Sequence, residues 1–147
     1  MKRSEVAQAK FLEGYNSAQA VFYSFCDDLN LDKNMVLKVA CGFGAGMGRK
    51  EEVCGAVTGG IMIIGMKYGR GKNQDRSLMD QTYLKTRLLM DRFQEKHGSF
   101  ICRKLLEGCE LTTPEGQQEF QDKDFRNKIC KHCVGNVVEI IEEIENA

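Results

Sequence analysis

A chain of 147 residues is long enough for one domain with a single buried core. Its 42% hydrophobic and 29% charged content marks a folded globular sequence and excludes a disordered one. The 21 basic residues are balanced by 21 acidic ones, so there is no electrostatic basis for binding a nucleic-acid backbone.

The chain has no Trp and one Pro, Pro114, while strong helix formers are abundant. The expected fold is all-α: a single domain over residues 1–147, built as a compact bundle of about five to six helices around a central, apolar, Gly-rich helix. The first helix is expected from about Glu5 to Leu29, where Val6, Ala9, Phe11 or Leu12, Tyr15, Ala18, Phe22 and Phe25 recur at steps of three and four. A second starts after Asp32, a good N-cap, and carries Met35, Val36, Val39 and Ala40. The glycines at 42, 44, 46 and 48 end or kink it.

A third helix is expected from Arg49 or Lys50 through Tyr68, with Glu51 and Glu52 in its first turn. Its run from Val53 to Met66 is uncharged, which makes it a central buried helix and leaves it too short to span a bilayer. A fourth helix runs from about Ser77 to His97 and stops at Gly98. Ser99 caps a short helix carrying Cys102 to Leu106, and Thr113-Pro114-Glu115 reads as another helix start. The last helix is expected from about Phe125 to Glu145, with the stripe Ile129, Cys133, Val137, Ile140 or Ile141, and Ile144. The acidic side chains of "EIIEEIENA" form its solvated face.

Neither phosphate-binding pattern is present. The only Gly-Lys pair, Gly71-Lys72, is preceded five positions earlier by Met66 and followed by Asn73, which breaks the P-loop pattern. The dinucleotide fingerprint started by Gly42 and Gly44 ends on Met47. Gly55 and Gly59 share one helix face and are better explained by the close approach of a second helix.

Seven cysteines is an odd number, so complete disulfide pairing within the chain is impossible. "MKRSEVAQAKFLEG" has no continuous apolar region, so no export signal is expected and the expected location is cytoplasmic. In a reducing compartment a dense cysteine set points to redox or metal chemistry. Cys54 falls near the start of the third helix, where the dipole favours thiolate; Arg49 and Lys50 add to that effect and Glu51 and Glu52 oppose it. Cys130 and Cys133 form a C-x-x-C on one helix face, a spacing shared by dithiol redox sites and metal sites. Val134 follows it, so covalent haem attachment is excluded. A zinc or iron–sulfur site drawn from Cys102, Cys109, Cys130 and Cys133, with Cys54 as a further thiolate, is the alternative, although the spacing matches no standard zinc ribbon. Cys26 and Cys41 are expected in the core, and His97 and His132 at the surface.

The segments "FLEGYNSAQAVF", "GFGAGMGRKEEVCGAVTGGIMIIGMKYGR", "CRKLLEG" and "TPEG" with a later Cys resemble the C-GCAxxG-C-C family over roughly Ala9 to Glu145. The resemblance implies a small all-helical domain with four characteristic cysteines acting in redox chemistry or metal binding. Cys54, Cys102 and Cys130 take three of those positions. The fourth, a Cys after Gly-Tyr-Asn in the family, is Ser17 here; either Cys41 or Cys133 substitutes for it, or Ser17 marks a member with lost or altered activity. The leading expectation is therefore a redox protein. Cys54, Cys102 and Cys130 share one pocket, two of them cycle between dithiol and disulfide, and Cys133 or Cys109 resolves. Its redox partner is unspecified, and a homodimer is compatible with the apolar third helix. The blander alternative is a helical interaction protein whose cysteines only pack.

Overall fold

In the computed structural model, which describes residues 1–146, the expected first helix is three: α1 (Arg3–Leu12), α2 (Ser17–Tyr23) and α3 (Cys26–Leu29). The break has a local cause. Gly14 takes φ +114°, and Asn16 then caps α2 reciprocally. Its Oδ1 accepts the Gln19 N–H at 3.0 Å while Gln19 Oε1 accepts the Asn16 N–H at 2.9 Å. Apolar spacing runs through this turn because α1 and α2 both bury their stripes in one core, so periodicity alone does not reveal the cap.

α4 (Lys33–Ala40) starts as expected, with the Asp32 carboxylate accepting the Met35 N–H at 3.0 Å. A short 3₁₀ turn, Cys41–Phe43, and α5 (Gly44–Met47) follow. From Ala45 to Arg49 every residue has positive φ, between 52° and 72°, so the chain makes a left-handed turn. Such a turn costs roughly 1–2 kcal/mol at each non-glycine residue. Glycine is required at position 46, where a Cβ would lie 2.5 Å from the Glu51 Cα. The left-handed turn overturns the expected start of the third helix. Arg49 to Val53 precede it, Cys54 is its N-cap, and α6 spans Gly55–Tyr68.

Val53 instead pairs with Ile101 in an isolated antiparallel bridge, flanked by Cys54 N–H to Phe100 C=O at 2.8 Å and Cys102 N–H to Glu52 C=O at 2.7 Å. No other β pairing occurs among the described residues. α7 (Ser77–His97) has the expected bounds and ends at Gly98 with φ +85°. α8 (Cys102–Leu105) is one turn, and α9 (Pro114–Asp122) is capped by Thr113, whose hydroxyl accepts the Gly116 N–H at 2.9 Å. The expected last helix opens with a π turn, Arg126–Cys130, before α10 (Lys131–Glu145). Arg126 Nη2 in that turn donates to the carbonyls of Phe11 and Leu12, at 2.9 and 2.8 Å, closing the C-terminus of α1.

α6 packs against α2, α7 and α10, and α1 runs along α10. The glycines of α6 set the closest approach. A Cβ at Gly59 would lie 2.7 Å from the Ala18 carbonyl oxygen, and one at Gly55 would lie 3.1 Å from that of Phe43. Two apolar clusters result. The larger holds Phe25, Ile63, Ile64, Leu89, Phe93, Ile140 and their neighbours. The smaller holds Cys102, Leu106, Cys109, Leu111 and Phe125. Ile129 and Cys130 pack against both. No helix among the described residues is long and apolar enough to cross a membrane.

Candidate functional site

A cavity of ≈ 140 Å³ lies on the seam between the two clusters. Four thiols line it, those of Cys54, Cys102, Cys130 and Cys133, together with Ser17. Distant parts of the chain bring them together by separate devices. The antiparallel bridge puts Cys54 and Cys102 on one face of the paired segments, the face opposite Val53 and Ile101. The π turn ends at Cys130, and Cys133 follows in the first turn of α10. Ser17 opens α2 beside Gly55, where a Cβ would lie 3.4 Å from the Ser17 Cβ.

Cys54 holds the position in this set best suited to a thiolate. It is buried at 8% exposure and occupies the N-cap position of α6, with Cys133 lining the same cavity. The neighbouring Cys133 thiol is the largest influence and holds the Cys54 thiol below its ordinary value of 9.0, against the opposing effect of burial. Cys133 is pushed far up in turn, by its interaction with Cys54, by burial, and because Cys54 repels a second negative charge. The two sulfurs thus titrate as a pair in which Cys54 gives up its proton first and Cys133 keeps its own. Burial, and then repulsion from Cys54, raises Cys130 to about 12 and moves Cys102 up as well.

The remaining cysteines lie elsewhere. Cys109 is buried in the smaller cluster but does not line the cavity; its thiol donates to the Gly116 carbonyl at 2.9 Å. Cys26 is a core residue, as expected, and burial raises its thiol. Cys41 corrects an expectation: it is exposed at the start of the 3₁₀ turn, away from both core and cavity. Only its carbonyl is engaged, accepting Asn16 Nδ2 at 2.8 Å. Cys41 therefore does not replace the thiol missing at Ser17, whereas Cys133 stands in the same cavity as Ser17. His132 is exposed, but His97 is half-buried, stacked on Phe93 with its Nε2 2.9 Å from Asn136 Oδ1.

Among the described residues, no three His, Cys, Asp or Glu side chains are grouped so as to hold one metal ion. Of the five cysteines expected as alternative zinc or iron–sulfur ligands, Cys109 is turned to Gly116 and lies outside the cavity that the other four line.

Two contributors were not legible in the sequence. Glu51, expected in the first turn of the third helix, instead precedes it and is buried with φ +59°. Its Oε1 accepts the Leu111 N–H at 3.0 Å and lies 3.6 Å from Arg103 Nη2, tying the Cys102–Leu111 segment to the approach to Cys54. The second is the apolar wall: Phe11, Leu105, Leu106, Leu111, Phe120 and Ile129 complete the cavity, and no charged side chain lines it. The Phe11-or-Leu12 alternative resolves to Phe11, which is buried while Leu12 is exposed.

The family described as "Putative redox-active protein (C_GCAxxG_C_C)" matches residues 15–144. No curated protein and no solved structure matches the chain.

Proposed function

The chain belongs to the C_GCAxxG_C_C family, and from that premise we propose that it is a thiol redox protein whose working pair is Cys54 and Cys133. The observation that carries this reading is that Cys54, at the N-cap of α6, and Cys133, in the first turn of α10, line one apolar cavity, with the Cys54 thiol held down by its neighbour and the Cys133 thiol pushed up. That arrangement supplies a nucleophilic thiolate and, beside it, a thiol able to resolve whatever Cys54 captures. In the oxidising direction the pair loses two electrons and two protons and forms one S–S bond. Cys102 and Cys130 remain protonated thiols lining the same cavity, and Cys109 and Cys26 take no part. Ser17, at the family's remaining cysteine position, presents a hydroxyl where that thiol would stand.

The test is thiol counting and peptide mapping before and after mild oxidation. The expected result is loss of two thiols and a single Cys54–Cys133 link, abolished by Cys54→Ser or Cys133→Ser and unchanged by Cys109→Ser. An unchanged thiol count, or links confined to Cys41, would overturn the proposal.

A further inference from the structure

We infer that the oxidant taken by the Cys54–Cys133 pair is a small, uncharged organic hydroperoxide with an apolar body; the inference rests on the pair proposed above. Size gives the first argument. An apolar cavity of about 150 Å³ in another protein accommodates benzene, so ≈ 140 Å³ here suits a body of about six heavy atoms. Lining gives the second. Phe11, Leu105, Leu106, Leu111, Phe120 and Ile129 present hydrocarbon, and no charged side chain faces the space. A carboxylate-bearing oxidant such as glutathione disulfide would lose its hydration there without gaining a partner. Access gives the third. Cys54 is 8% exposed and Cys133 1%, so an oxidant must enter the cavity and react through a small terminal atom. A disulfide carried on a protein surface would need to place its own sulfur, with its leaving group in line behind it, inside this cavity.

The polar inventory fits a hydroperoxide. The Ser17 hydroxyl makes no hydrogen bond among the described residues and stands at the cavity wall, free to hold a peroxide oxygen. The chemistry balances with the groups present. The Cys54 thiolate attacks the terminal oxygen; the S–O bond forms, the O–O bond breaks, and Cys54 becomes a sulfenic acid. The departing alkoxide takes the Cys133 proton and leaves as the alcohol. The resulting Cys133 thiolate attacks the Cys54 sulfur, forming S–S and releasing hydroxide, which solvent protonates. Two electrons pass from the two sulfurs to the peroxide.

The experiment mixes the reduced protein with tert-butyl hydroperoxide, hydrogen peroxide or glutathione disulfide. It follows formation of the Cys54–Cys133 link, each rate being divided by that of the same oxidant with free cysteine. The expected result is a normalised preference of about tenfold or more for tert-butyl hydroperoxide over both others, from burial of its methyl groups. Phe120→Lys, a half-buried wall position, should erase that preference and speed the anionic disulfide. Equal normalised rates, or faster reaction with glutathione disulfide in the unmodified protein, would overturn the choice of oxidant while leaving the thiol pair standing. Failure of all three oxidants to link Cys54 to Cys133 would overturn the pair itself.

Discussion

Replacing Gly59 by Ala tests the contact that places α2 and Ser17 against the start of α6. A Cβ there would lie 2.7 Å from the Ala18 carbonyl oxygen and 3.1 Å from its Cα, against an ordinary contact of 3.4 Å or more. Both atoms are backbone, so no side chain can rotate away; α2 must shift by about 0.7 Å or the helices must part. Overpacking of this kind costs about 1–3 kcal/mol, while a glycine in a helix interior gives back about 0.5–1 kcal/mol when it becomes alanine. Gly65→Ala is the matched control. It lies in the same helix, and a Cβ there meets nothing within 4 Å. The propensity gain is common to both variants, so their difference isolates the packing cost. Gly65→Ala should stabilise by about 0.5–1 kcal/mol, and Gly59→Ala should fall about 1–3 kcal/mol below it. Urea unfolding followed by helical circular dichroism measures both, with the slope checked for constancy. If the two variants agree within about 0.5 kcal/mol, beyond the usual additivity error, the close α2–α6 approach is not what holds this wall of the cavity.

Three further outcomes are expected. Glu51→Ala leaves the buried Leu111 N–H without its acceptor and should lower stability by about 1–3 kcal/mol; Glu51→Gln keeps an acceptor oxygen and should recover most of that loss in the same urea assay. Stability should fall as pH rises from 9.0 towards about 12, because folded Cys102, Cys130 and Cys133 retain protons that the unfolded chain releases. Each deeply buried thiol contributes a slope of about 1.4 kcal/mol per pH unit, so Cys102→Ala should flatten the curve of urea midpoint against pH, and an unchanged slope would refute the burial argument. Cys54 acts with the opposite sign: its depressed value adds stability above 9.0 that is lost as pH falls through the folded value. Ser17→Cys places a further thiol at the cavity wall; after oxidation, peptide mapping should find it linked to a cavity cysteine, and a link only to exposed Cys41 would contradict the placement of α2.

The all-helical class, the span of α7, the Asp32 and Thr113 caps and the pairing of Gly55 and Gly59 with a neighbouring helix were legible in the sequence because each depends on short-range chemistry. A side-chain oxygen reaches an amide three residues on, a Gly ends a helix, and a missing Cβ leaves room wherever it occurs on the face. Cys54, Cys102 and Cys130 were named through the family resemblance, and a shared pocket with Cys133 or Cys109 as resolving thiol was expected on that ground. How the chain assembles that pocket was not legible. It depends on a left-handed turn at Ala45–Arg49, a bridge between residues 53 and 101, and a π turn ahead of α10, the last two held by partners far along the chain. Tertiary structure alone decided that Glu51 is buried, that Cys41 faces water, and that Cys54 shares a cavity wall with Cys133. Burial and thiol acidity depend on which groups surround a sulfur in space, and in this protein those groups come from the two ends and the middle of the sequence.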